Sequence, residues 1–225
     1  MSYEDERDAL VETLSRSGRI ERESVLEAVR AVPRHEFVPE GRRDRAYQDR
    51  PLPIGHDQTI SAPHMVAIMC DRLALSPGDR VLEIGTGCGY HAAVTAEVVG
   101  AGRGPATAAG DEGDAAEGAV YSVEYESALA DRARERLDDL GYDVAVRQGD
   151  GHEGWPERAP YDAAYLTCAA PELPDPTREQ VDEGRIVAPI GATAQELVVF
   201  EKREDGSTNR WTDGRVRFVP MRGGN

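Results

Sequence analysis

The chain has 225 residues, which is the size of one large domain and enough to bury a hydrophobic core. Its formal net charge of -16 excludes a function that rests on a positive surface, such as binding of nucleic acid or of an anionic membrane. Lys202 is the single lysine among 26 basic residues, and this composition is typical of proteins adapted to high salt.

Membrane and disulfide signals are both missing from the sequence. No run of about 20 apolar residues could span a bilayer, and the charged start MSYEDERDAL lacks the apolar core of a signal peptide. We therefore expect a cytoplasmic protein. Cys70, Cys88 and Cys168 lie far apart and are odd in number, so we expect buried thiols and neither a zinc site nor a disulfide framework.

Two short amphipathic helices are predicted in residues 3–32, because apolar residues recur on one face of each segment, and Pro33 ends the second. Residues 41–50 are polar and predict a loop. The stretch PLPIGHDQTISAPHM, residues 51–65, shows neither helical nor strand periodicity, so we predict an elaborate polar loop. A helix is predicted from about Ala62, with a proline in its first turn.

From residue 79 onward, strands alternate with helices, and this order predicts a parallel sheet covered on both faces. The predicted parallel strands are RVLEIG, AVYSVE, VAVRQGD, YDAAYLT and GRIVAPIG, and ELVVFEKR and RVRFVPM are predicted as a closing pair. YHAAVTAEVV and SALADRARERLDDLG are the predicted helices. Residues 101–118 are rich in Gly, Ala, Asp and Glu, and we predict a flexible surface insertion there.

The fold class that follows is a single α/β domain of the Rossmann-like, doubly wound type. We predict a mostly parallel seven-stranded sheet with helices on both faces, an antiparallel C-terminal strand and a small N-terminal helical extension. Residues 1–50 form the predicted helical cap, residues 51–78 a loop and helix that contact substrate and cofactor, and residues 79–225 the cofactor-binding core.

The segment VLEIGTGCGYHAAV puts a glycine-rich turn between a predicted strand and a predicted helix. Gly85, Gly87 and Gly89 would let a ligand approach the backbone closely at the carboxyl edge of the sheet, where open α/β folds bind ligands. Their GxGxG spacing differs from the GxGxxG of dinucleotide-binding proteins, and Glu83 precedes the turn. The alternative is a tight turn that binds no ligand.

Other strand ends carry further candidate residues. Glu124 ends the second core strand, where an acid accepts hydrogen bonds from ribose hydroxyls; the alternative is a surface glutamate. Asp150 and Gly151 follow the third strand, where an acid can receive an adenine amino group and glycine leaves room for the ring. In YDAAYLTCAAP, Asp162 starts the fourth strand and Thr167 ends it.

Together these motifs resemble those of the class I S-adenosylmethionine-dependent methyltransferases. With PLPIGHDQTISAPHM ahead of the glycine turn, and YDAAYLTCAAP, GRIVAPIG and VRFVP after it, the sequence resembles the protein-L-isoaspartate O-methyltransferase family. The resemblance runs from about Val25 to Gly223, apart from the acidic insertion. It implies methyl transfer from S-adenosylmethionine to the α-carboxylate of L-isoaspartyl residues in damaged proteins. This step begins repair to aspartate and releases S-adenosylhomocysteine.

The resemblance also implies residue roles. Ser61 matches the family's active-site serine, and Thr59 and Ile60 match its neighbours in a loop that covers the cofactor and contacts the substrate. His64 matches a histidine at the head of the next helix, and Thr167 is expected to bind substrate as well. The expected cofactor-binding residues are Glu83, Gly85, Gly87, Gly89, Glu124, Asp150 and Gly151. The remaining histidines are expected to be non-catalytic: His35, His56, His91 and His152.

The implied chemistry needs few protein groups. A carboxylate has a pKa of about 4 and is ionised at neutral pH, so the nucleophile needs no strong base. The sulfonium methyl group is activated by the cofactor itself. What remains is positioning, which a serine hydroxyl and backbone N–H groups can supply without protonating the carboxylate. We expect no lysine or arginine clamp, because such a clamp would hold the anion too tightly to react.

Some residues depart from the family pattern. Asp57 stands where the family often has glycine, and its charge would weaken peptide binding unless high salt screens it. Cys88 replaces a common serine, and an acidic pair, Asp182 and Glu183, stands where lysine and glycine are common. The acidic composition as a whole predicts a halophilic source.

Other functions remain open at this point. The enzyme could methylate another carboxylate acceptor, or the chain could be a cofactor-binding paralogue without catalysis that contacts partners through Asp57 and the acidic insertion. A dinucleotide oxidoreductase is disfavoured by the glycine spacing. From the resemblance we expect a monomer that binds isoaspartyl proteins and peptides, with no metal, nucleic acid or membrane.

Overall fold

The computed structural model describes residues 2–101 and 118–224, and it confirms the predicted Rossmann-like α/β fold. The predicted flexible insertion lies outside the described residues, except for its end residues Ala101 and Gly118. Within the described ranges, no helix is long and apolar enough to cross a membrane.

Two helices, α1 (Tyr3–Arg16) and α2 (Glu23–Ala31), lie where the apolar pattern predicts them. Ser2 begins α1 with a capping box: its hydroxyl accepts from the backbone N–H of Asp5, whose carboxylate accepts from the N–H of Ser2. α2 ends at Ala31, and its cap residue Val32 is extended because the proline that follows disfavours a helical residue before it.

The segment predicted as a polar loop forms a β-hairpin instead, and the helix predicted from about Ala62 follows it. Strand β1 (Leu52–Gly55) pairs antiparallel with β2 (Gln58–Ile60), and α3 (Pro63–Leu73) follows. His56 and Asp57 form the turn between the strands with φ of 53° and 58°, as in a type I′ turn. The first strand could not be recognised in the sequence. Its alternation of buried and exposed residues is only four residues long, and prolines lie within it and beside it.

The turn conformation explains why glycine suits position 57 better than aspartate does. Positive φ is costly for a residue with a Cβ and nearly free for glycine. We expect Asp57→Gly to raise the free energy of unfolding by about 1 kcal/mol and the melting temperature by about 2–4 °C. Thermal melts of this variant and of Asp57→Ala check the cause, because alanine removes the charge but keeps the Cβ and should bring no gain. An equal rise in both variants would assign the cost to the carboxylate instead.

The central sheet has seven strands: β3 (Arg80–Ile84), β4 (Ala119–Glu124), β5 (Val144–Gln148), β6 (Tyr161–Leu166), β7 (Val181–Ile190), β8 (Gln195–Lys202) and β9 (Thr208–Val216). Their order across the sheet is β5-β4-β3-β6-β7-β8-β9. Pairing from β5 to β7 is parallel, and β8 and β9 add antiparallel strands. The crossing helices are α4 (Tyr90–Val99), α5 (Ser127–Leu140) and α6 (Asp175–Gln180).

The last strand lies earlier in the chain than predicted. Because β9 ends at Val216, most of RVRFVPM lies beyond the sheet. This C-terminal segment crosses the carboxyl end of the sheet, where the Ala169 N–H donates to Val219 O at 2.8 Å and the Met221 N–H donates to Ala169 O at 2.8 Å. Nearly every side chain of β9 is exposed, so its sequence carries little apolar periodicity.

Hydrophobic clusters cover both faces of the sheet, because successive strand residues point to opposite sides. On β3, Val81 belongs to the larger cluster, which includes residues of α1 to α5, whereas Leu82 and Ile84 belong to the smaller one. Glu83 lies between these two residues and therefore faces the larger cluster. This direction decides its role in the site.

Candidate active site

β3 lies at the topological switch point of the sheet, since the chain leaves it toward β4 on one side and returns to β6 on the other. The carboxyl ends of these strands border a cavity that we call the edge cavity. The predicted site residues that line it are Thr59, Gly85, Gly87, Glu124, Gly151 and Thr167. Its other lining residues are Gln58, Ile84, Val123, Tyr125, Glu126, Cys168, Val219, Pro220, Met221 and Arg222.

The first glycine of the turn is required by close packing. Gly85 has φ of 100°, and a Cβ there would lie 2.3 Å from Thr167 Oγ1. The Thr167 hydroxyl donates to Gly85 O at 2.5 Å, and the Gly85 N–H donates to Val123 O at 2.8 Å. The turn is therefore fixed to both neighbouring strands while its backbone borders the edge cavity.

Glu124 is a buried acid held by backbone donors. One carboxylate oxygen accepts from the Gly87 N–H at 2.8 Å, and the other accepts from the Glu126 N–H at 2.9 Å. Each carboxylate oxygen has a second lone pair, so the group can still accept from ligand hydroxyls in the cavity. This placement agrees with the predicted contact to a ribose, which stays a prediction.

An ion pair links the C-terminal segment to the rest of the edge cavity. Arg222 pairs with the carboxylate of Glu126, which lies two residues after the end of β4, and also donates to His56 O at 3.0 Å. The hairpin turn, the β4 end and the C-terminal segment therefore meet over one side of the cavity.

Glu83 does not line the edge cavity but lies beneath it. Its side chain is fully buried, and it accepts hydrogen bonds from the hydroxyls of Tyr165, at 3.0 Å, and of Ser122. Burial raises the pKa of Glu83 to about 8. Its contacts among the described residues form a buried polar network, and its contact to a cofactor stays a prediction.

Two other predicted cofactor residues serve local structure. Gly89 begins α4, and a Cβ there would lie 3.1 Å from Leu137 of α5, so this glycine allows close helix packing. Asp150 accepts from the N–H groups of His152, at 2.9 Å, and Gly224, at 2.7 Å. Neither residue lines the edge cavity, so their contacts to a cofactor stay predictions. Asp162 likewise accepts from a backbone N–H, that of the first residue of β3.

The raised pKa of Glu83 predicts a pH dependence of stability. Between about 4.5 and 8 the unfolded state has released this proton and the folded state still holds it, so stability falls as pH rises. Burial lowers the pKa of His91 to about 3, which has the opposite effect but only below its usual value near 6.5. From pH 6.5 to 8 we therefore expect Glu83 alone to cost about 1.5 kcal/mol.

Denaturant unfolding of the wild type and of Glu83→Gln at both pH values measures this cost. Glutamine can still accept from Tyr165 and donate to Ser122, and all other groups titrate in both proteins. The difference in unfolding free energy between the two proteins should change by this amount. The same pH slope in both would mean that Glu83 ionises normally.

A second cavity, the outer cavity, shares Thr59, Thr167 and Val219 with the edge cavity. It contains the predicted substrate residues Thr59, Ser61, His64 and Thr167, and its other lining residues are Pro51, Ala62, Met65, Arg215, Val216, Arg217, Phe218 and Val219. A narrow space between the two cavities, which we call the gap, is lined by Thr59, Ile60, Ser61, Val66, Gly85, Thr86, Gly87, Cys88, Tyr90, His91 and Thr167. Thr59 and Thr167 line all three spaces, so these two side chains form a shared boundary of the edge and outer cavities.

Ser61 is positioned by a buried arginine that the sequence did not indicate. Arg34 is fully buried, and its guanidinium donates to Ser61 O at 2.9 Å, to Arg50 O at 3.1 Å and to Ala46 O. Within the described part of the chain, Ser61 Oγ makes no hydrogen bond. Its backbone is thus fixed while its hydroxyl can bind a ligand.

His64 is also held at one nitrogen. Its backbone N–H and its ring Nδ1 both lie 2.9 Å from Asp49 Oδ1, so Asp49 orients the ring at the rim of the outer cavity. Asp57 lies at the tip of the hairpin and lines none of the three spaces. Its departure from glycine therefore affects the turn and has no direct contact with the outer cavity.

Comparison with known proteins identifies the family of the chain that forms these cavities. The profile of protein-L-isoaspartate (D-aspartate) O-methyltransferases matches residues 5–225. The chain belongs to this family. Protein-L-isoaspartate O-methyltransferase 2 of Archaeoglobus fulgidus is 51% identical over 99% of this chain and 95% of its own. The enzyme of Methanothermobacter thermautotrophicus is 46% identical over 97% and 96%, respectively.

Solved structures agree with this assignment. A structure of a protein-L-isoaspartate O-methyltransferase is 30% identical, with a TM-score of 0.81, and the match covers 96% of this chain and 66% of that one. A Plasmodium falciparum protein described as a putative member, in complex with S-adenosyl-L-homocysteine, is 24% identical, with a TM-score of 0.79 over 96% of this chain and 98% of its own. The second match supports the fold.

Sequence reasoning missed two parts of this methyltransferase site. The prediction treats RVRFVPM as one strand, because the sequence does not distinguish the end of β9 from the cavity-lining residues that follow it. Arg215 and Arg217 line the outer cavity, where we expected no arginine. Both are exposed, and no local pattern distinguishes them from the chain's other arginines.

Proposed function

We propose that this chain methylates the α-carboxylate of L-isoaspartyl residues in damaged proteins, with S-adenosylmethionine as methyl donor, and so begins their repair to aspartate. The observation that carries this function is the shared boundary at Thr59 and Thr167, which line both a cavity suited to the cofactor and a cavity suited to a peptide. Membership of the isoaspartyl methyltransferase family supports the same reaction.

The edge cavity fits the cofactor. Gly85 and Gly87 expose backbone without side chains, and the Glu124 carboxylate can accept from ribose hydroxyls. A Cβ at Gly151 would lie 2.4 Å from Ile84 Cγ2, so only glycine leaves this wall of the cavity in place. When bound, the cofactor supplies a methyl group that its sulfonium already activates.

The chain's own residues orient the acceptor. Ser61 Oγ can donate to one oxygen of the substrate carboxylate and leave the other oxygen free to react through the gap. A carboxylate with a pKa of about 4 is already an anion at neutral pH, so no base is required. Positioning of this kind can lower a barrier by about 7–11 kcal/mol.

Arg215 and Arg217 attract the substrate and do not clamp it. Their exposed guanidinium groups give the outer cavity positive charge on a protein whose net charge is -16. Attraction between exposed charges acts over about a Debye length and is screened by salt. These arginines therefore raise the encounter rate of an anionic peptide without holding its carboxylate in an unreactive pair.

The test is methyl transfer from radiolabelled S-adenosylmethionine to an isoaspartyl peptide and to its normal aspartyl twin. We expect label on the isoaspartyl peptide alone. Label on neither peptide, from folded protein that binds S-adenosylhomocysteine, would indicate a cofactor-binding paralogue. Label on a different carboxylate, without competition by the isoaspartyl peptide, would indicate another acceptor.

The remaining features of the proposal concern the protein's setting. The acidic composition supports a halophilic source, which thermal melts in low and in molar KCl test; equal stability in both would contradict it. Cys70, Cys88 and Cys168 are all unpaired thiols, which fits a reducing compartment such as the cytoplasm. The division into a cap (1–50), a ligand-contacting segment (51–78) and a core (79–225) stays a prediction, as does a monomeric state.

A further inference from the structure

His91 is a buried histidine that borders the gap beside Ser61 and Thr86. It is 6% exposed, and its ring lies 4.3 Å from that of Tyr165. Its Nε2 lies 3.4 Å from Cys70 Sγ, whereas its Nδ1 has no hydrogen-bond partner among the described residues. An unpartnered buried nitrogen is costly unless a ligand or water completes it.

A chain of hydrogen bonds, taken with Tyr165 as donor to Glu83, assigns the ring proton of His91 to Nε2. The Tyr165 hydroxyl donates to Glu83 Oε1 at 3.0 Å, and the Thr95 hydroxyl donates to the Tyr165 oxygen at 3.0 Å. Thr95 Oγ1 can then only accept from the Cys70 thiol, 3.8 Å away. With its proton so engaged, the Cys70 sulfur can only accept from His91 Nε2–H.

This direction leaves Nδ1 as a lone-pair acceptor. Burial raises the pKa of the Cys70 thiol to about 12 and lowers the pKa of His91 to about 3, so the thiol keeps its proton and the imidazole stays neutral. The chain keeps this direction when Glu83 carries its proton on Oε2, which faces Ser122, because Oε1 then still accepts from Tyr165; a proton on Oε1 would reverse it. The gap thus contains a neutral acceptor that repels no cation.

We propose that His91 Nδ1 accepts a hydrogen bond from the α-ammonium group of the cofactor's methionine moiety. The inference rests on the proposed function, since it concerns the cofactor of that reaction. An ammonium has only protons to donate and a carboxylate has none, so an acceptor in the gap selects the ammonium end. The relay from Glu83 to His91 is then a positioning device that holds the acceptor tautomer.

Two variants separate the ring nitrogens. The amide end of glutamine can occupy the place of Nε2, and that of asparagine can occupy the place of Nδ1. We expect His91→Gln to weaken binding of S-adenosylhomocysteine about 10-fold by isothermal titration, since a hydrogen bond to a charged group is lost. We expect His91→Asn to stay within about threefold of the wild type. Equal affinity of His91→Gln and wild type would overturn the inference.

A ligand change tests the same contact without altering the protein. S-Adenosylhomocysteine that lacks its amino group should bind the wild type about 10-fold more weakly, and His91→Gln should weaken it no further. The analogue that lacks its carboxylate instead should still respond to the substitution. The opposite pattern would assign Nδ1 to another group of the ligand and contradict the proposal.

A spectroscopic measurement covers the case in which a variant does not fold. In ¹⁵N spectra of labelled wild-type protein, the His91 Nδ1 signal should be that of an unprotonated nitrogen, and it should shift with S-adenosylhomocysteine but not with the deaminated analogue. A protonated Nδ1 would overturn the inference. All these measurements are independent of the peptide, so failure to methylate isoaspartyl peptide would refute the proposed function and leave this contact standing.

Discussion

Replacing Ser61 with alanine is expected to lower kcat about 10- to 100-fold and to leave the affinity for S-adenosylhomocysteine within about threefold of wild type. The reason is that Ser61 Oγ is free to orient the substrate carboxylate, while its backbone is fixed by Arg34. A hydrogen bond to a charged group contributes about 1.5–3 kcal/mol, and each 1.4 kcal/mol corresponds to about tenfold in rate. Steady-state kinetics with an isoaspartyl peptide and isothermal titration of the cofactor product measure the two effects separately.

The control for this variant is Ser15→Ala, which removes a hydroxyl from an exposed position of α1. It should change neither kcat nor cofactor affinity. A Ser61→Ala protein that lost cofactor binding but kept its turnover at saturating cofactor would contradict the assigned role. It would make Ser61 part of the cofactor site alone.

Arg34→Leu is expected to lower the free energy of unfolding by about 3–5 kcal/mol, the largest effect on stability that we predict. Arg34 is fully buried and joins three backbone carbonyls, those of Ala46, Arg50 and Ser61. Leucine fills part of the volume but leaves these acceptors without a donor. Because the same bonds hold Ser61, the folded fraction of the variant should also show a lower kcat.

Urea unfolding checks this expectation, with Arg30→Leu as the matched control. Arg30 lies on α2, near the same part of the chain, but its side chain is 44% exposed and its contact to Asp8 is 3.5 Å long. Exposed ion pairs contribute about 0–1 kcal/mol, so the control should change stability little. If both variants cost the same, the buried hydrogen bonds of Arg34 contribute no net stability.

Much of the sheet could be predicted because its strands are buried on both faces. Segments such as RVLEIG and YDAAYLT are short apolar runs between helical patterns, and this order requires a parallel sheet. The hairpin around His56 and Asp57 could not be predicted, since prolines and a non-glycine type I′ turn conceal it. β9 could not be predicted for the opposite reason: its side chains are mostly exposed, so apolar residues do not alternate along it.

The site divides in the same way. Local order placed Gly85, Glu124 and Thr167 at strand ends, so their meeting at one edge follows from the parallel fold. The Arg34 contact to Ser61 O and the ion pair of Arg222 with Glu126 join residues far apart in the sequence, and no local pattern encodes them. Burial of Glu83 depends on which residues of other strands and helices pack over it, and the sequence alone does not indicate those contacts.

The shared boundary at Thr59 and Thr167 has a consequence for inhibitor design. A single molecule that joins an adenosine group to an isoaspartyl peptide could occupy the edge and outer cavities together. Its linker would run past these two threonines, beside the small gap that they also line, and should therefore be short. Linking two weak ligands raises the effective concentration of each at its own cavity. Such a compound would bind this enzyme more tightly than it binds methyltransferases that use the same cofactor with a different acceptor.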